Sequence, residues 1–180
     1  MYALKFIQKE PCNDKSDHLF TYTYKFYSPD TRLHYVLRAE YHSGSVFAIK
    51  FYCKAHRRSD FKYNIIINRG HCLKILNTCL SLLPELLKKY PQASFALNSS
   101  RSVELGSSQK LTEDIKENQR YRIYKNFIQS RIGKHTFTHL YYPEISSYLL
   151  INNHYPDIDI KEQEILQMFQ RTYRSLPDIV

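Results

Sequence analysis

The sequence predicts an α+β fold: a mixed, mostly antiparallel sheet with about three packed helices, in a single domain spanning residues 1–180. Three observations lead there. The first third of the chain alternates polar and apolar residues with the period of half-buried strands. A leucine-rich segment at 72–89 then switches to helical spacing, and a strand-like run follows it, as a parallel crossover requires. With 180 residues, 43% of them hydrophobic, and only four glycines, the chain can bury one substantial core and is neither disordered nor fibrous in composition.

Taken in order, "YALKFI" (2–7) reads as a short first strand. In "HLFTYTYKFYS" (18–28), Phe20, Tyr22, Tyr24 and Phe26 alternate against Thr21, Thr23 and Lys25. Pro29-Asp30 makes a turn, and "RLHYVLRAEYH" (32–42) and "SVFAIKFYCK" (45–54) form a hairpin around Ser43-Gly44. A basic connection leads to a further strand, "YNIIIN" (63–68). The helix at 72–89 carries Leu73, Leu76, Leu80, Leu83 and Leu87 on one face, and Pro84 should bend or split it. "ASFALNSS" (93–100) returns as a strand, and the polar, aperiodic stretch 101–117 reads as a mobile loop. A second helix at 118–131 has Asn118 as its cap and Gly133 as its stop. Strands at 135–142 and 146–153 turn around Pro143-Glu144, and a third helix at 159–176 starts from Asp159.

A formal charge of +9 and a pI near 9.3 favour anionic partners. Sixteen tyrosines and ten phenylalanines without a tryptophan point to surfaces with apolar bodies and polar tips. Cys12, Cys53, Cys72 and Cys79 show no CxxC spacing. The opening residues lack the apolar core and cleavage site of a signal peptide, and no run is long enough to span a bilayer, so the expectation is a reduced, cytoplasmic protein without a membrane partner.

From about residue 45 to residue 153 the order of elements resembles the GCN5-related N-acetyltransferase superfamily. The residues carrying the resemblance are "YNIIINRGHCLKILNTC" at a strand-to-helix junction, "ASFALNSS" as the next strand, and "ENQRYRIYKNFIQSRIGKHTF" as the second helix and hairpin entry. The resemblance implies an acetyltransferase-like core, a coenzyme A thioester as cofactor, and pyrophosphate held at the helix N-terminus by the Asn68–Cys72 corner. It also places Tyr124 near the sulfur as a general acid. Where the family carries Gln/Arg-x-x-Gly-x-Gly/Ala, this chain has Arg69-Gly70-His71-Cys72. The chain otherwise resembles small bacterial proteins.

Read from the residues alone, Arg69, Gly70, His71 and Cys72 form a potential anion site, since a helix N-terminus offers unpaired amides and Arg69 adds charge. Cys72 at that terminus would have a lowered thiol pKa, whereas Cys79 fits a core position. Glu40, a mid-strand acid, would serve as a general base in an acyl-transfer cleft. Arg57, Arg58, Arg120, Arg122 and Lys125 would contact phosphate or carboxylate groups, with Tyr121 and Tyr124 stacking on bases. His135 and His139 would lie about 13 Å apart on a strand, and no metal site is expected. The leading expectation is a binding protein without enzymatic activity or cofactor, whose basic, tyrosine-rich surface contacts nucleic acid or an acidic protein. The alternatives are a coenzyme A-dependent N-acyltransferase and a structural subunit of a homo-oligomer.

Overall fold

A computed structural model describes residues 1–65, 70–102 and 113–173. Its strands are β1 (Lys5–Pro11), β2 (His18–Ser28), β3 (Leu33–His42), β4 (Val46–Cys53), β5 (Ser94–Asn98), β6 (Phe137–Tyr142) and β7 (Ser147–Asn152). They form one sheet in the order β1-β2-β3-β4-β5-β7-β6. Every neighbouring pair is antiparallel except β4 and β5, which run parallel. The fold is therefore α+β with a mixed, mostly antiparallel sheet. The helices are α1 (Cys72–Leu80), α2 (Leu82–Lys89), α3 (Gln119–Arg131) and α4 (Ile158–Thr172). Among the described residues, no helix is long and apolar enough to cross a membrane.

Strand parity sorts the side chains into two layers. Leu37, Ala39, Phe47, Ile49, Phe95 and Leu150 face one way and bury against Ile75 and Cys79 of α1, Leu82 and Leu86 of α2, and Ile128 of α3. On the other face Val46, Leu149 and Ile151 pack under Ile165 and Met168 of α4. The broad apolar face foreseen for 72–89 is present, divided at Ser81, but it is centred on Ile75, Cys79, Leu82 and Leu86, and Leu73, expected on it, is exposed. Pro84 is the third residue of α2, where its missing N–H belongs to a donor that has no partner within the helix anyway.

Asn118 caps α3 as expected, its side chain accepting from Tyr121 N–H. Of the segment 101–117, residues 103–112 lie outside the described residues. Residues at its far end are tied down: the Glu113 carboxylate accepts from the amides of Ser102 and Gln119, at 2.9 and 2.8 Å.

Several boundaries differ from expectation, three of them instructively. The first strand is 5–11 rather than 2–7; as an edge strand exposed along its whole length, with a bulge at Ile7, it has no burial pattern to show in sequence. Helix α4 starts earlier, capped by Asp157 rather than Asp159. Tyr63 and Asn64 form a turn instead of opening a strand, with the amides of Asn64 and Ile65 both bonded to Phe61 O. The carbonyls there have a side-chain partner, and Ile65 forms an isolated bridge. The Arg120 guanidinium donates to Tyr63 O, and to Asn64 O and Ile65 O at 2.8 Å each. Ile66–Asn68 of the same expected strand lie outside the described residues.

Candidate functional site

The parallel ladder between β4 and β5 is short. It joins Val46 to Ser94, Phe47 to Phe95 and Ala48 to Ala96, and then stops. Strand β4 continues to Cys53 paired with β3, and β5 continues to Asn98 paired with β7. A crevice of about 290 Å³ opens where the two strands part. It is lined from both sides of the sheet: Leu76, Leu80, Tyr124 and Phe127 from the layer of α1 and α3, and Leu166, Phe169 and Tyr173 from the α4 side. Beyond Ala48 and Ala96, the two strands exchange no further pairs among the described residues.

A charged cluster stands at the α4-side mouth. The register places Arg38 opposite Lys50 and Glu40 opposite Ala48, so all of these residues share one face. Glu40 Oε2 accepts from Lys50 Nζ at 2.6 Å and from the Tyr173 hydroxyl at 2.7 Å, while Oε1 accepts from Arg38 Nε at 3.3 Å. Burial works against the Glu40 charge, but the Lys50 ammonium, the hydrogen bonds from Lys50 and Tyr173, and Arg38 outweigh it and hold the carboxyl below its ordinary range. With both oxygens engaged and a lowered pKa, Glu40 is ionised and a weak proton acceptor. Burial, helped by Glu40, pushes the Tyr173 hydroxyl well above its usual range, and burial raises Tyr63 to about 12.

Inside the crevice, Tyr124 has no hydrogen-bond partner for its hydroxyl among the described residues. Burial keeps that hydroxyl protonated far above neutral pH. Cys79 is fully buried and its thiol is pushed up in the same way, in line with a core position.

The strand-to-helix corner is separate from the crevice lining among the described residues. Asn68 and Arg69 lie outside the described residues. Gly70 and His71 both take left-handed backbone conformations, with φ of 70° and 59°. His71 Nδ1 stands 3.7 Å from Asp30 Oδ2, and Lys74 Nζ reaches the same oxygen at 2.9 Å. A carboxylate of the chain itself thus already sits beside the corner. The expected lowering of the Cys72 thiol is reversed: burial raises it, and that outweighs the pull of Arg120.

The other predicted contact residues separate. Arg57, Arg58 and Arg122 are exposed. Tyr121 is 1% exposed, so it has no free face for a base. Lys125 Nζ sits over the Tyr141 ring at 5.1 Å. Arg120 is committed to the three carbonyls of residues 63–65. Arg120→Met should therefore lower stability by about 2 kcal/mol, the scale of losing charge-assisted bonds at a part-buried site. A urea titration checks this, and trypsin should cut faster at Lys62 in the variant. An unchanged urea midpoint would return Arg120 to the surface role first expected for it.

Sequence reasoning missed Lys50 as Glu40's partner, and it placed Tyr173 only on the buried stripe of the last helix, not beside Glu40. The Arg38-x-Glu40 spacing, which puts opposite charges on one strand face, was the available signal for the first. Tyr173 lies 133 residues from Glu40, and no local pattern marks it. Among the described residues no group of three or more His, Cys, Asp or Glu side chains is placed to hold a metal. In comparisons with known proteins, the chain matches no family model, no curated protein and no solved structure.

Proposed function

We propose that the crevice takes the acyl-bearing arm of a coenzyme A thioester and that the protein is an N-acyltransferase on an acetyltransferase-like scaffold. The observation that carries this reading is the parting of β4 from β5 after Ala48 and Ala96. A narrow gap between two strands that have stopped pairing with each other, walled by leucine and aromatic side chains, suits a slender ligand that alternates methylenes with amides. The pantetheine arm has that chemistry. The order of elements supports the same reading: a strand, a crossover helix, a parallel strand, another helix and a closing hairpin.

Bound there, the thioester supplies an activated acyl carbon. The chain's own groups then divide the remaining work. The backbone edges of β4 and β5 orient the arm, and the apolar walls exclude water from it. Tyr124 holds its proton inside the crevice and can deliver it to a departing thiolate. Glu40 acts by position, fixing the Lys50 ammonium and the Tyr173 hydroxyl at the mouth where an acceptor enters. Because Glu40 is a weak base, the acceptor amine must arrive neutral or lose its proton to water.

Thermal denaturation with acetyl coenzyme A tests the reading. At a concentration about a hundredfold above Kd, binding to the native state contributes about 2.7 kcal/mol, or a rise in Tm of roughly 5–10 °C for a domain of this size. Ala96→Trp, which fills the gap, should abolish the rise, and adenosine 3′,5′-bisphosphate, which lacks the arm, should not reproduce it. No shift at millimolar acetyl coenzyme A, or an equal shift in the variant, would dismiss the crevice as the site.

A further inference from the structure

A different surface, on the side of the sheet that α4 only partly covers, has chemistry of its own. The register aligns Lys5, Lys25, Val36 and Tyr52 in one row across β1 to β4, with Tyr27 opposite His34 in the next. Neighbouring residues in a row are about 5 Å apart and the rows about 7 Å apart. Tyr27, Val36 and Tyr52 belong to neither hydrophobic cluster of the molecule.

Positive charge is crowded here. Lys54 follows directly on β4, and its ammonium competes with that of Lys25 for hydrogen bonding, with Arg57 adding a third charge nearby; together they hold Lys54 below the ordinary lysine range. Among the described residues, none of these three cations forms an ion pair. Like charges gathered without a counter-ion repel one another, and an anion between them relieves the repulsion. Aromatic rings flank the cluster. Tyr27 is 45% exposed with its ring 4.9 Å from His34, and Tyr52 lies 5.3 Å from Tyr63 with the Lys62 ammonium over both.

We infer that this face of β1–β4 binds single-stranded nucleic acid, with Lys25, Lys54 and Arg57 on successive phosphates and Tyr27 and Tyr52 under bases. An acidic peptide would use the cations but has no need of the rings. A duplex keeps its bases stacked on one another and so offers the rings nothing. The surface is distinct from the segment Arg120–Lys125, where the tyrosines are buried or line the crevice. It stands independently of what occupies the crevice, so Ala96→Trp should leave it intact.

Fluorescence anisotropy with labelled twelve-residue oligo(U) and oligo(dT) tests the inference. Three phosphate contacts predict that log K falls with log salt at a slope of about −2, and Lys25→Ala or Lys54→Ala should each flatten it by about 0.7. Tyr27→Ala should weaken binding about tenfold at an unchanged slope, and Tyr27→Phe should restore it. A preference for oligo(U) identifies RNA as the ligand, and parity or the reverse identifies DNA. The side chains are on the surface, so a melting temperature equal to that of the parent protein certifies each variant. Absence of binding at 50 mM salt would overturn the inference. So would equal competition by polyglutamate or a hairpin duplex, or indifference to Tyr27→Ala.

Discussion

Phe47→Ala is expected to destabilise the protein by about 3–5 kcal/mol, the range for truncating a fully buried phenylalanine. Phe47 is 0% exposed, and its ring packs against those of Tyr41, Tyr90 and Phe95 at centroid distances of 4.7, 5.3 and 5.9 Å. Position adds to burial. Phe47 and Phe95 form the middle of the three residue pairs that join β4 to β5, and hence the antiparallel meander to the β5-β7-β6 half of the sheet. The void left by alanine would open beside that joint, where the surrounding strands have the fewest cross-links with which to close it. Urea denaturation should show a midpoint displaced at nearly constant slope, with a fall in Tm of 10 °C or so. Phe47→Leu, which keeps most of the volume, should lose less than half as much. A loss below 1 kcal/mol for the alanine variant would mean that the joint does not depend on the aromatic stack.

That joint also marks where sequence reading succeeds and where it fails. Local periodicity exposes β2, because Phe20, Tyr22, Tyr24 and Phe26 all turn to the helical layer while Thr21, Thr23 and Lys25 turn to the other face. It exposes the division of 72–89, because proline acts on its own turn. The crevice is set by a long-range event, the failure of residues 49–53 and 97–98 to pair after residues 46–48 and 94–96 have done so. Nothing in "VFAIKFYC" distinguishes the paired half from the unpaired one. The expected strand at 63–68 does not open at Tyr63 and Asn64 for the converse reason: "YN" precedes a run with strand propensity, but the carbonyls of 63–65 are taken by an arginine more than fifty residues away in sequence. Arg120 and Tyr121 looked like a basic-aromatic surface because sequence lists residue types without saying which way a short helix faces. The pair Arg38-x-Glu40 was legible as a strand face with both charges, and its meaning depended on Lys50 arriving from the next strand.

Acidification from pH 7 to pH 5 is expected to remove about 2 kcal/mol of stability through His42 alone. The ring is 0% exposed; Nδ1–H donates to the Glu40 carbonyl at 2.9 Å, and Nε2 lies 2.9 Å from the Tyr173 hydroxyl. That hydroxyl has one proton and two acceptors, since Glu40 Oε2 is nearer at 2.7 Å. Burial, reinforced by the His18 ring stacked 5.1 Å away and by Lys50, lowers the His42 pKa from 6.5 to about 4, against the smaller pull of Glu40. The unfolded chain therefore binds a proton near pH 6.5 that the native protein refuses until about pH 4. Stability from this group is complete above pH 6.5, falls through the window between the two values, and levels off below the lower one. The full difference corresponds to about 3 kcal/mol at 1.36 kcal/mol per pH unit, of which about 2 kcal/mol is lost by pH 5. Asp17, Asp30 and Glu113, whose pKa values are lowered in the folded state, add their own losses mainly below pH 5. Between pH 7 and 5 burial of His139, which also lowers its pKa, adds a loss to that of His42, so a variant is needed to separate the two. His42→Gln removes the titration while keeping a donor and an acceptor. It should be less stable at pH 7 than the parent yet lose about 2 kcal/mol less from pH 7 to 5, so the two urea-derived stability curves should converge as the pH falls. Parallel curves would show that His42 titrates in the native state as it does in the unfolded chain, so that burial does not hold the ring neutral.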